Sequence, residues 1–413
     1  MSHRKQTSYC LTATLLVLSL YAHASAETKK PLKVYILAGQ SNMEGAARVT
    51  TFDYIGDDPA TVPLLKSMRG ADGKPRICDR TWISYYSGWH GLGEGFGKLT
   101  SGYGAREVCD KDCGRIGPEY TFGITMEDSV EQPVLIIKAA WGGKSLHTDF
   151  RSPSAGPFVY SESQMEYLKK RQGNTAEEIQ AEKDKVTGRY YQLMIKHVKY
   201  VLGDIKRVIP SYDEKQGYEI SGFVWFQGHN DKGDGSVYPH SLGEKRFDKY
   251  SEFMAHFIRD VRKDLSTPKM PFVIGVYGGD GMTDKNAVFR KAMAAPASMP
   301  EFKGNVAAVE TAVFWDERLA TVFEKQRSFE MMKRHLAKKH KRYPNEDGKM
   351  TPKQQKAYLA EFKAKTISPA DRALMRRAVS DGGYHYFGSA KFFAQAGQAF
   401  AKAILEMESQ HEK

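Results

Sequence analysis

Long apolar runs are scarce in this 413-residue chain, and none of membrane-spanning length occurs after residue 30. We therefore expect a soluble body. Internal repeats are absent as well, which excludes a repeat array. The aromatic fraction of 12% is ordinary for a globular protein and high for a disordered one. The length allows one large core or two ordinary domains.

Cysteine is also scarce. Four cysteines are present, and Cys10 lies in an N-terminal segment that we expect to be removed. Cys78, Cys109 and Cys113 then remain, enough for one disulfide and one odd thiol. The close pair Cys109 and Cys113 has two aspartates but no histidine nearby, so it favours a structural use over a metal site. We predict neither a metal nor an organic cofactor.

The N-terminus predicts a secretory signal. Arg4 and Lys5 give it a positive end, Leu11–Leu20 is a short apolar stretch, and Ala24–Ala26 is a small-x-small cleavage signal. An uncleaved anchor helix is the alternative, but the apolar stretch is short for that. We predict removal of residues 1–26 and a secreted or periplasmic protein with no membrane contact after cleavage.

The charge of the chain is positive. The net charge is +12 for the full chain, and removing Arg4 and Lys5 lowers it by two. Much of the excess lies between residues 323 and 377, where the pattern indicates solvated helix faces. We therefore expect no nucleic-acid partner, while an attraction for acidic glycans stays open.

Short apolar runs and amphipathic segments alternate along the chain and predict an α/β fold. Five runs predict buried strands: Val34–Ala38, Val134–Ala140, Gly222–Phe226, Phe272–Tyr277 and Val306–Val313. Helical spacing predicts helices at Pro118–Val130, 176–206, 244–265 and about 388–409. Continuous apolar strands indicate a mostly parallel sheet of about five strands, covered on both faces. Sites in such sheets form at the carboxyl ends of the strands.

Two regions interrupt this alternation. Residues 44–117 are long, rich in glycine and tyrosine and without clear periodicity, so we predict an ordered loop near the site. Residues 317–378 are charged and helical, with helix starts at Thr351-Pro352 and Ser368-Pro369. We interpret them as a helical hairpin inserted into a single domain that spans residues 27–413.

The first predicted strand runs directly into Gly39–Met43 (GQSNM). A serine just beyond a buried strand and a glycine sits on a tight turn that projects from the sheet. Ser41 is then either a nucleophile or the cap of the following helix, a position that serine suits. Taken alone, the segment favours the cap.

The next two predicted strands also end in unusual segments. Gly142 and Gly143 follow the second strand, and paired glycines can expose a backbone N–H to an oxyanion. An ordinary strand-to-loop turn is the alternative. The third strand ends in Gln227–Asp231 (QGHND), where the Asn230 amide is a suitable neutral donor for an oxyanion. The alternative there is an Asn/Asp turn with a helix cap.

A histidine loop precedes the last predicted helix, in Asp381–Tyr386 (DGGYHY). His385 follows two glycines, with Asp381 upstream. This arrangement suits a general base whose imidazole is oriented by a carboxylate. A lone histidine in such a loop would more often be structural.

Together the four segments resemble the SGNH hydrolases, whose motif residues are Ser, Gly, Asn and His in chain order. The resemblance is closest to the carbohydrate esterase branch that includes sialate O-acetylesterase and family 6 acetyl xylan esterases, which shows Gly-Gln-Ser-Asn-Met at its first block. Further matching segments are Gly117–Glu119 (GPE), Ala140–Gly143 (AWGG) and Trp225–Gly228 (WFQG). The resemblance spans about residues 32–405 and implies a flavodoxin-like three-layer α/β/α sandwich.

The resemblance also implies roles for single residues. Ser41 is the nucleophile and His385 the general base. The oxyanion hole consists of the Ser41 backbone N–H, the Asn230 side chain and a backbone N–H at Gly142 or Gly143, of which we prefer Gly143.

The chain departs from the family pattern in two places. The family places its acid three residues before the histidine, where this chain has Gly382, while Asp381 lies four before. Either Asp381 still reaches the imidazole, or another carboxylate serves, or the enzyme works as a Ser-His dyad. His229 stands where many relatives carry Glu and either lines the pocket or faces solvent. Gln40 and Gln227 are further candidates for substrate contact.

The function implied is a carbohydrate O-acetylesterase that works through an acetyl-enzyme intermediate. Its substrate would be an acetylated glycan such as a sialate, an acetyl xylan or another polysaccharide. Two rivals stay open: a non-catalytic glycan-binding protein on the same fold, and an esterase for small lipids. The oligomeric state is unknown from the sequence.

Overall fold

The computed structural model describes residues 30–88, 93–104 and 114–411, together with Met1. The rest of the predicted signal segment, as well as Cys109 and Cys113, lies outside the described residues, so cleavage and disulfide formation stay predictions. Cys78 is described, and it is a buried free thiol. Across the described part of the chain, no helix is both long and apolar enough to cross a bilayer.

A mostly parallel sheet forms the middle of the molecule. The strands in the described residues are β1 (Leu32–Gly39), β2 (Ala47–Arg48), β3 (Thr81–Ser87), β4 (Gly93–Lys98), β5 (Arg115–Ile116), β6 (Val134–Ala140), β7 (Tyr218–Phe226), β8 (Phe272–Val276) and β9 (Val306–Glu310). Seven of them form the main sheet in the order β4-β3-β6-β1-β7-β8-β9, and β2 pairs with β5 apart from it. Neighbours in the main sheet are parallel, except for β3 and β4 at one edge.

Helices cover the sheet and follow its strands. Those in the described residues are α1 (Ser41–Glu44), α2 (Val62–Ser67), α3 (Glu119–Ser129), α4 (Glu162–Gln172), α5 (Ala176–Val186), α6 (Arg189–Gly203), α7 (His229–Gly233), α8 (Asp248–Asp264), α9 (Ala287–Ala294), α10 (Glu317–Ala337), α11 (Pro352–Thr366), α12 (Pro369–Ala378) and α13 (Ala390–His411). Short 3₁₀ turns connect several of them.

The residues of β1 show why both faces of the sheet are covered. Val34 and Ile36 pack in the core that α6 and α8 share, whereas Tyr35 and Leu37 pack in the core that α3 and α13 share. All four side chains are fully buried. A strand without a polar face needs apolar cover on both sides. The predicted α/β class and three-layer α/β/α sandwich are therefore confirmed.

The five predicted strands are all present, but the expected count of about five is too low. The additional strands β3 and β4 lie within residues 44–117, where the sequence predicted an aperiodic loop. Strand β4 has the sequence GEGFGK, and glycine is depleted in strands because it contributes no packing side chain. Pairing with β3 holds this edge strand in place, and such pairing is a tertiary effect that local composition does not report.

The helix predicted over 176–206 is in fact two helices. Gly188 separates α5 from α6 in a left-handed conformation with φ of 71°, which glycine adopts without steric cost. A Cβ at this position would also lie 2.8 Å from the carbonyl oxygen of Arg151. The break therefore depends on both the backbone conformation and a close neighbour.

The charged stretch 317–378 forms three helices, α10, α11 and α12, where the sequence predicted a hairpin. The predicted helix starts are confirmed. Thr351 and Ser368 are N-caps with complete capping boxes, and a proline follows each of them in the first helical turn. These caps satisfy backbone N–H groups that the helix itself leaves free.

The position of β1 decides where a site can form. It lies between β6 and β7, so the three carboxyl ends are adjacent: Gly39 pairs with Ala140 on one side and with Phe226 on the other. The polar segments that follow these three strands must therefore meet at one edge of the sheet.

Candidate active site

Ser41 lies on the turn that follows the central strand. Gly39 is required there, because a Cβ at this position would lie 2.1 Å from the carbonyl oxygen of Phe226. Gln40 is the N-cap of α1, and no side chain caps this helix. The interpretation of Ser41 as a helix cap is therefore wrong, and its hydroxyl has no hydrogen-bond partner among the residues that the structure describes. Ser41 is 8% exposed.

Gln40 fixes the orientation of the Asn230 amide. Its Nε2 donates to Asn230 Oδ1 at 3.3 Å, and its Oε1 accepts from the backbone N–H groups of Gly228 at 3.1 Å and Asn230 at 3.5 Å. Since the oxygen of Asn230 faces Gln40, the Asn230 NH₂ group faces away from it. Gln40 is 2% exposed. The structure therefore gives Gln40 the role of positioning Asn230, where the sequence suggested that Gln40 contacts the substrate.

The Asn230 NH₂ group connects the ends of β6 and β7. Its Nδ2 donates to the carbonyl oxygen of Gly143 at 3.0 Å. A primary amide carries two N–H donors, so one remains for an oxyanion. Gly143 has a φ of 75°, and a Cβ there would meet no neighbour within 4 Å. Glycine is therefore favoured at this position by backbone conformation, not by crowding.

Asp231 was not among the predicted site residues, although it holds the loop after Gly143. It is fully buried, and its carboxylate accepts from the backbone N–H groups of Leu146 at 2.8 Å and His147 at 3.2 Å. Tyr238 donates to it as well, at 2.9 Å. This carboxylate couples α7 to the loop that follows β6.

The Gln227 side chain also forms its hydrogen bonds with other residues of the protein. Its Nε2 donates to Asp231 Oδ2 at 2.5 Å and to the carbonyl oxygen of Lys144 at 3.0 Å, and its Oε1 accepts from Tyr250 at 3.2 Å. The side chain is 3% exposed. The structure thus gives Gln227 a positioning role, where the sequence suggested substrate contact.

His385 is paired with Asp381. The ring Nδ1 lies 3.1 Å from Asp381 Oδ1, so Nε2 is the nitrogen that faces away from the carboxylate. The His385 backbone N–H donates to the carbonyl oxygen of Gly382 at 2.9 Å. This turn brings residues four apart onto one side, as in a helix. Asp381 therefore reaches the imidazole although it lies one residue further upstream than in the family pattern.

The Asp381 carboxylate is held in its charged form. Burial opposes ionisation, but hydrogen bonds from His385 and from the Gly382 backbone, together with the charges of His385 and Arg115, outweigh it and lower the pKa of Asp381. The Arg115 guanidinium lies 3.9 Å from Asp381 Oδ2. Arg115 comes from the short strand β5, far from Asp381 in the chain, so no local pattern marked it.

A hydrogen bond joins the Ser41 segment to the His385 loop. Asn42, next to Ser41, donates from Nδ2 to the carbonyl oxygen of Tyr384, next to His385, at 3.2 Å. The loop also holds Tyr386 and Phe387 at positive φ, 50° and 62°. Such backbone conformations are uncommon for residues other than glycine and cluster at functional sites.

His229 lies on the rim of this site and lines a cavity of about 510 Å³. Its ring faces Tyr277 and Tyr384, with centroids 6.1 and 6.2 Å away. Burial, with the nearby charges of Lys232 and His385, lowers the pKa of His229. A neutral imidazole at the cavity wall agrees with the pocket-lining alternative, and the ring is too covered for the solvent-facing one.

A buried ion pair holds the end of α1 against the sheet. Lys138 on β6 and Glu119 at the start of α3 are fully buried and lie 2.7 Å apart. The Lys138 ammonium also donates to the carbonyl oxygens of Glu44 at 2.8 Å and Tyr103 at 2.7 Å. Glu119 Oε1 accepts from the Gly117 backbone N–H at 2.8 Å. The pair therefore joins the end of α1 to the sheet and to α3.

The arrangement can support acyl transfer. An unengaged serine hydroxyl follows β1, a fixed amide donor follows β7, and an imidazole paired with a carboxylate lies in the loop that Asn42 joins to the serine segment. These are the components of nucleophilic catalysis with an oxyanion hole. Catalytic hydrogen bonds are often long or unmade without substrate. Among the described residues, no group of three or more His, Cys, Asp or Glu side chains is arranged to hold a metal ion.

Comparisons with known proteins give one family. The sequence profile described as "Carbohydrate esterase, sialic acid-specific acetylesterase" matches residues 101–317, just over half of the chain. This range contains Gly143 and Asn230 but neither Ser41 nor His385, and it ends where α10 begins. Among curated proteins, no sequence matches the chain.

Two solved structures show distant likeness. A protein from Arabidopsis thaliana is 16% identical, with a TM-score of 0.38, and the alignment covers 68% of this chain and 86% of that chain. A carbohydrate acetylesterase from Xanthomonas citri is 15% identical, with a TM-score of 0.36, covering 67% of this chain and 49% of that chain. At these scores neither likeness bears on the activity of this protein.

Proposed function

Because the chain belongs to the carbohydrate esterase family of sialic acid-specific acetylesterases, we propose that it removes acetyl groups from an O-acetylated glycan by serine catalysis. The observation that carries this proposal is the fixed Asn230 amide at the end of β7, with the Asp381–His385 pair joined to the Ser41 segment through Asn42. A protein that only binds a glycan does not need an imidazole–carboxylate pair in a loop joined to the segment of an unengaged serine.

In the first half-reaction, the Ser41 hydroxyl attacks the acetyl carbonyl carbon, and His385 Nε2 accepts the hydroxyl proton. The Asp381 carboxylate fixes the imidazole tautomer and stabilises the imidazolium. The carbonyl oxygen becomes an oxyanion, which Asn230 Nδ2 and the backbone N–H groups of Ser41 and Gly143 stabilise. The C–O bond to the sugar then breaks, and the imidazolium returns the proton to the leaving alcohol.

In the second half-reaction, water replaces the sugar. His385 accepts a proton from the water as it attacks the acetyl-enzyme carbonyl carbon. The same donors hold the second oxyanion. The ester bond to Ser41 then breaks, the serine regains its proton, and acetate leaves. Neither half-reaction requires a metal or an organic cofactor.

The proposal is tested with 4-nitrophenyl acetate and the variant Ser41→Ala. Loss of the nucleophile should lower the rate by roughly a thousandfold or more, while thermal unfolding stays close to that of the wild type. Full activity in Ser41→Ala would overturn the assignment. Labelling of Ser41 by an organophosphonate, located by peptide mass spectrometry, separates the enzyme from a non-catalytic glycan-binding protein.

We propose further that residues 1–26 form a cleaved signal and that the remaining chain is one domain in a secreted or periplasmic protein. N-terminal sequencing of the protein from the medium or the periplasm tests this. A mature N-terminus at Glu27 is expected, and an intact Met1 on exported protein would contradict it.

A further inference from the structure

The helical insertion forms one wall of the cavity beside the proposed active site. Lining residues come from two sides: His229 and Tyr384 from the catalytic edge, and Ala320, Glu324 and Arg327 from α10. Tyr384 is 55% exposed and presents an aromatic surface next to His385. His229 and Tyr384 are the chain neighbours of Asn230 and His385, so the cavity that α10 lines adjoins the proposed oxyanion donor and the proposed base.

The face of α10 that lines the cavity continues beyond it. Positions three and four apart share one face of a helix, and the stripe through Ala320, Glu324 and Arg327 extends to Met331, Arg334 and Lys338. The last three are exposed. With a rise of about 1.5 Å per residue, the basic end lies roughly 10–16 Å further along the helix than Arg327. A ligand that fills both parts must be elongated.

The insertion carries most of the charge of the protein. Residues 323–377 contain 16 Lys and Arg against six Asp and Glu, a net charge of +10 out of +12 for the whole chain. Thirteen of these basic residues are exposed. The rest of the molecule is thus almost neutral, and the positive field is concentrated on the element that adjoins the site.

The basic end of the α10 face has no internal partner. Neither Arg334 nor Lys338 forms an ion pair with any residue in the described part of the chain, whereas Arg327 pairs with Glu324 at 3.2 Å. Exposed charges at a helix C-terminus are compatible with the helix dipole, so folding alone tolerates them. Folding does not, however, explain why they continue the cavity-lining face.

We propose that this face of α10 binds an acidic polysaccharide whose acetylated sugar occupies the active site. Arg334 and Lys338 contact carboxylate or sulfate groups of the sugar chain as it leaves the cavity. A carbohydrate fits better than a nucleic acid, because the surface leads to a site that acts on acetyl esters. The inference rests on the proposed function and narrows its substrate to a polymer with negative charge.

The test compares the double variant R334Q/K338Q with the control K353Q/K356Q, which removes the same charge from exposed lysines of α11. Two substrates are chemically acetylated to the same degree: polygalacturonate, which is acidic, and xylan, which is neutral. Loss of two exposed charge contacts should lower kcat/KM on acetylated polygalacturonate roughly tenfold, mainly through KM. Activity on 4-nitrophenyl acetate and acetylated xylan should stay unchanged, as should all activities of the control.

A binding arm makes the inference independent of turnover. Labelled, unacetylated polygalacturonate should bind the wild type and the control variant, bind the double variant roughly tenfold more weakly, and dissociate at high salt. Equal losses in both double variants would overturn the inference, and so would equal wild-type activity on both polymers or equally tight binding of duplex DNA. A wild type that binds polygalacturonate but leaves 4-nitrophenyl acetate intact would refute the proposed function instead.

Discussion

Two amides at the ends of β1 and β7 illustrate how single residues form the site. Gln40 fixes the orientation of Asn230, because it donates to the Asn230 side-chain oxygen and accepts from the Asn230 backbone N–H. With Nδ2 aimed at the Gly143 carbonyl oxygen, the amide is oriented before substrate arrives. Preorganised donors lower a barrier because they need not reorient during the reaction.

Replacing Asn230 with alanine should therefore affect catalysis and not folding. One oxyanion donor contributes about 3–4 kcal/mol, so kcat towards 4-nitrophenyl acetate should fall by roughly two to three orders of magnitude, with little change in KM. Steady-state kinetics and urea unfolding measure the two effects. The exposed Asn174 provides the control: Asn174→Ala should leave both unchanged. A wild-type kcat in Asn230→Ala would remove this amide from the oxyanion hole.

The variant Asp381→Asn decides between a triad and a dyad. The asparagine amide that replaces the carboxylate carries no charge. Its oxygen can accept from His385 Nδ1–H, but its NH₂ group can also donate to an unprotonated Nδ1, so the imidazole tautomer is no longer fixed. If Asp381 orients the base, kcat should fall between roughly 10²-fold and 10⁴-fold. A fall of less than threefold would mean that His385 works without it. Arg115→Gln should show a smaller loss, because Arg115 lies 3.9 Å from Asp381 and acts through it.

The buried thiol of Cys78 should be inert in the folded protein. Burial raises its pKa to about 12, and the thiolate is the form that reacts. Iodoacetamide at neutral pH should leave Cys78 unmodified in the native state and alkylate it in urea, as peptide mass spectrometry can show. Rapid native-state alkylation of Cys78 would mean that this part of the core opens.

Among the elements, the short helix α1 depends most on its neighbours. Four residues cannot form a stable helix alone, so α1 is held by its surroundings. Lys138 on β6 binds the carbonyl oxygen of Glu44 at the helix end and pairs with Glu119 on α3. A disturbance of this pair should therefore reach the turn that carries Ser41.

Replacing Lys138 with methionine would leave the Glu119 carboxylate buried without its counter-ion. Breaking such a pair costs about 3–5 kcal/mol, which urea unfolding should detect as a lower transition midpoint. Replacing both partners, as in Lys138→Met with Glu119→Gln, should recover part of the loss, because no buried charge then remains unpaired. If the double variant is less stable than the single one, the pair is not the source of the effect.

Sequence patterns predicted elements with strong local signals and missed those that depend on distant partners. The five apolar strands and the capped starts of α11 and α12 are local, and they were predicted correctly. Strand β4 is rich in glycine and is ordered by β3, so its own residues do not indicate a strand.

In the site, Ser41, Asn230 and His385 stood out because polar residues follow apolar strands or glycines, and their roles stay predictions. Arg115, Lys138 and Asp231 did not stand out, since their partners come from other elements.

Acid should weaken the fold of the protein through a buried histidine. Burial lowers the pKa of His197 to about 4. Its Nε2 lies 3.0 Å from the Ser84 hydroxyl, which itself donates to Glu94 at 2.6 Å, so His197 Nε2–H donates to the Ser84 oxygen. With its lowered pKa the ring is uncharged at neutral pH. In the unfolded chain a histidine titrates near pH 6.5.

The sign of the pH dependence follows from these values. Between about pH 6.5 and 4 the unfolded chain binds a proton that the folded chain does not, so the free energy of unfolding falls as the pH falls. One such group contributes up to about 1.4 kcal/mol per pH unit. Urea unfolding over this range should show a shallower slope for His197→Gln than for the wild type. Identical slopes would exclude His197 as a source of acid sensitivity.

The central place of β1 in the sheet has a consequence for a chain made from its N-terminus. β1 and Ser41 precede the two strands that flank β1 in the sheet, β6 and β7, and His385 follows all of them. A ribosome therefore releases Ser41, the proposed nucleophile, long before His385, the proposed base. With the proposed roles, chains that stop short of His385 should be inactive, because they lack the group that accepts the Ser41 proton.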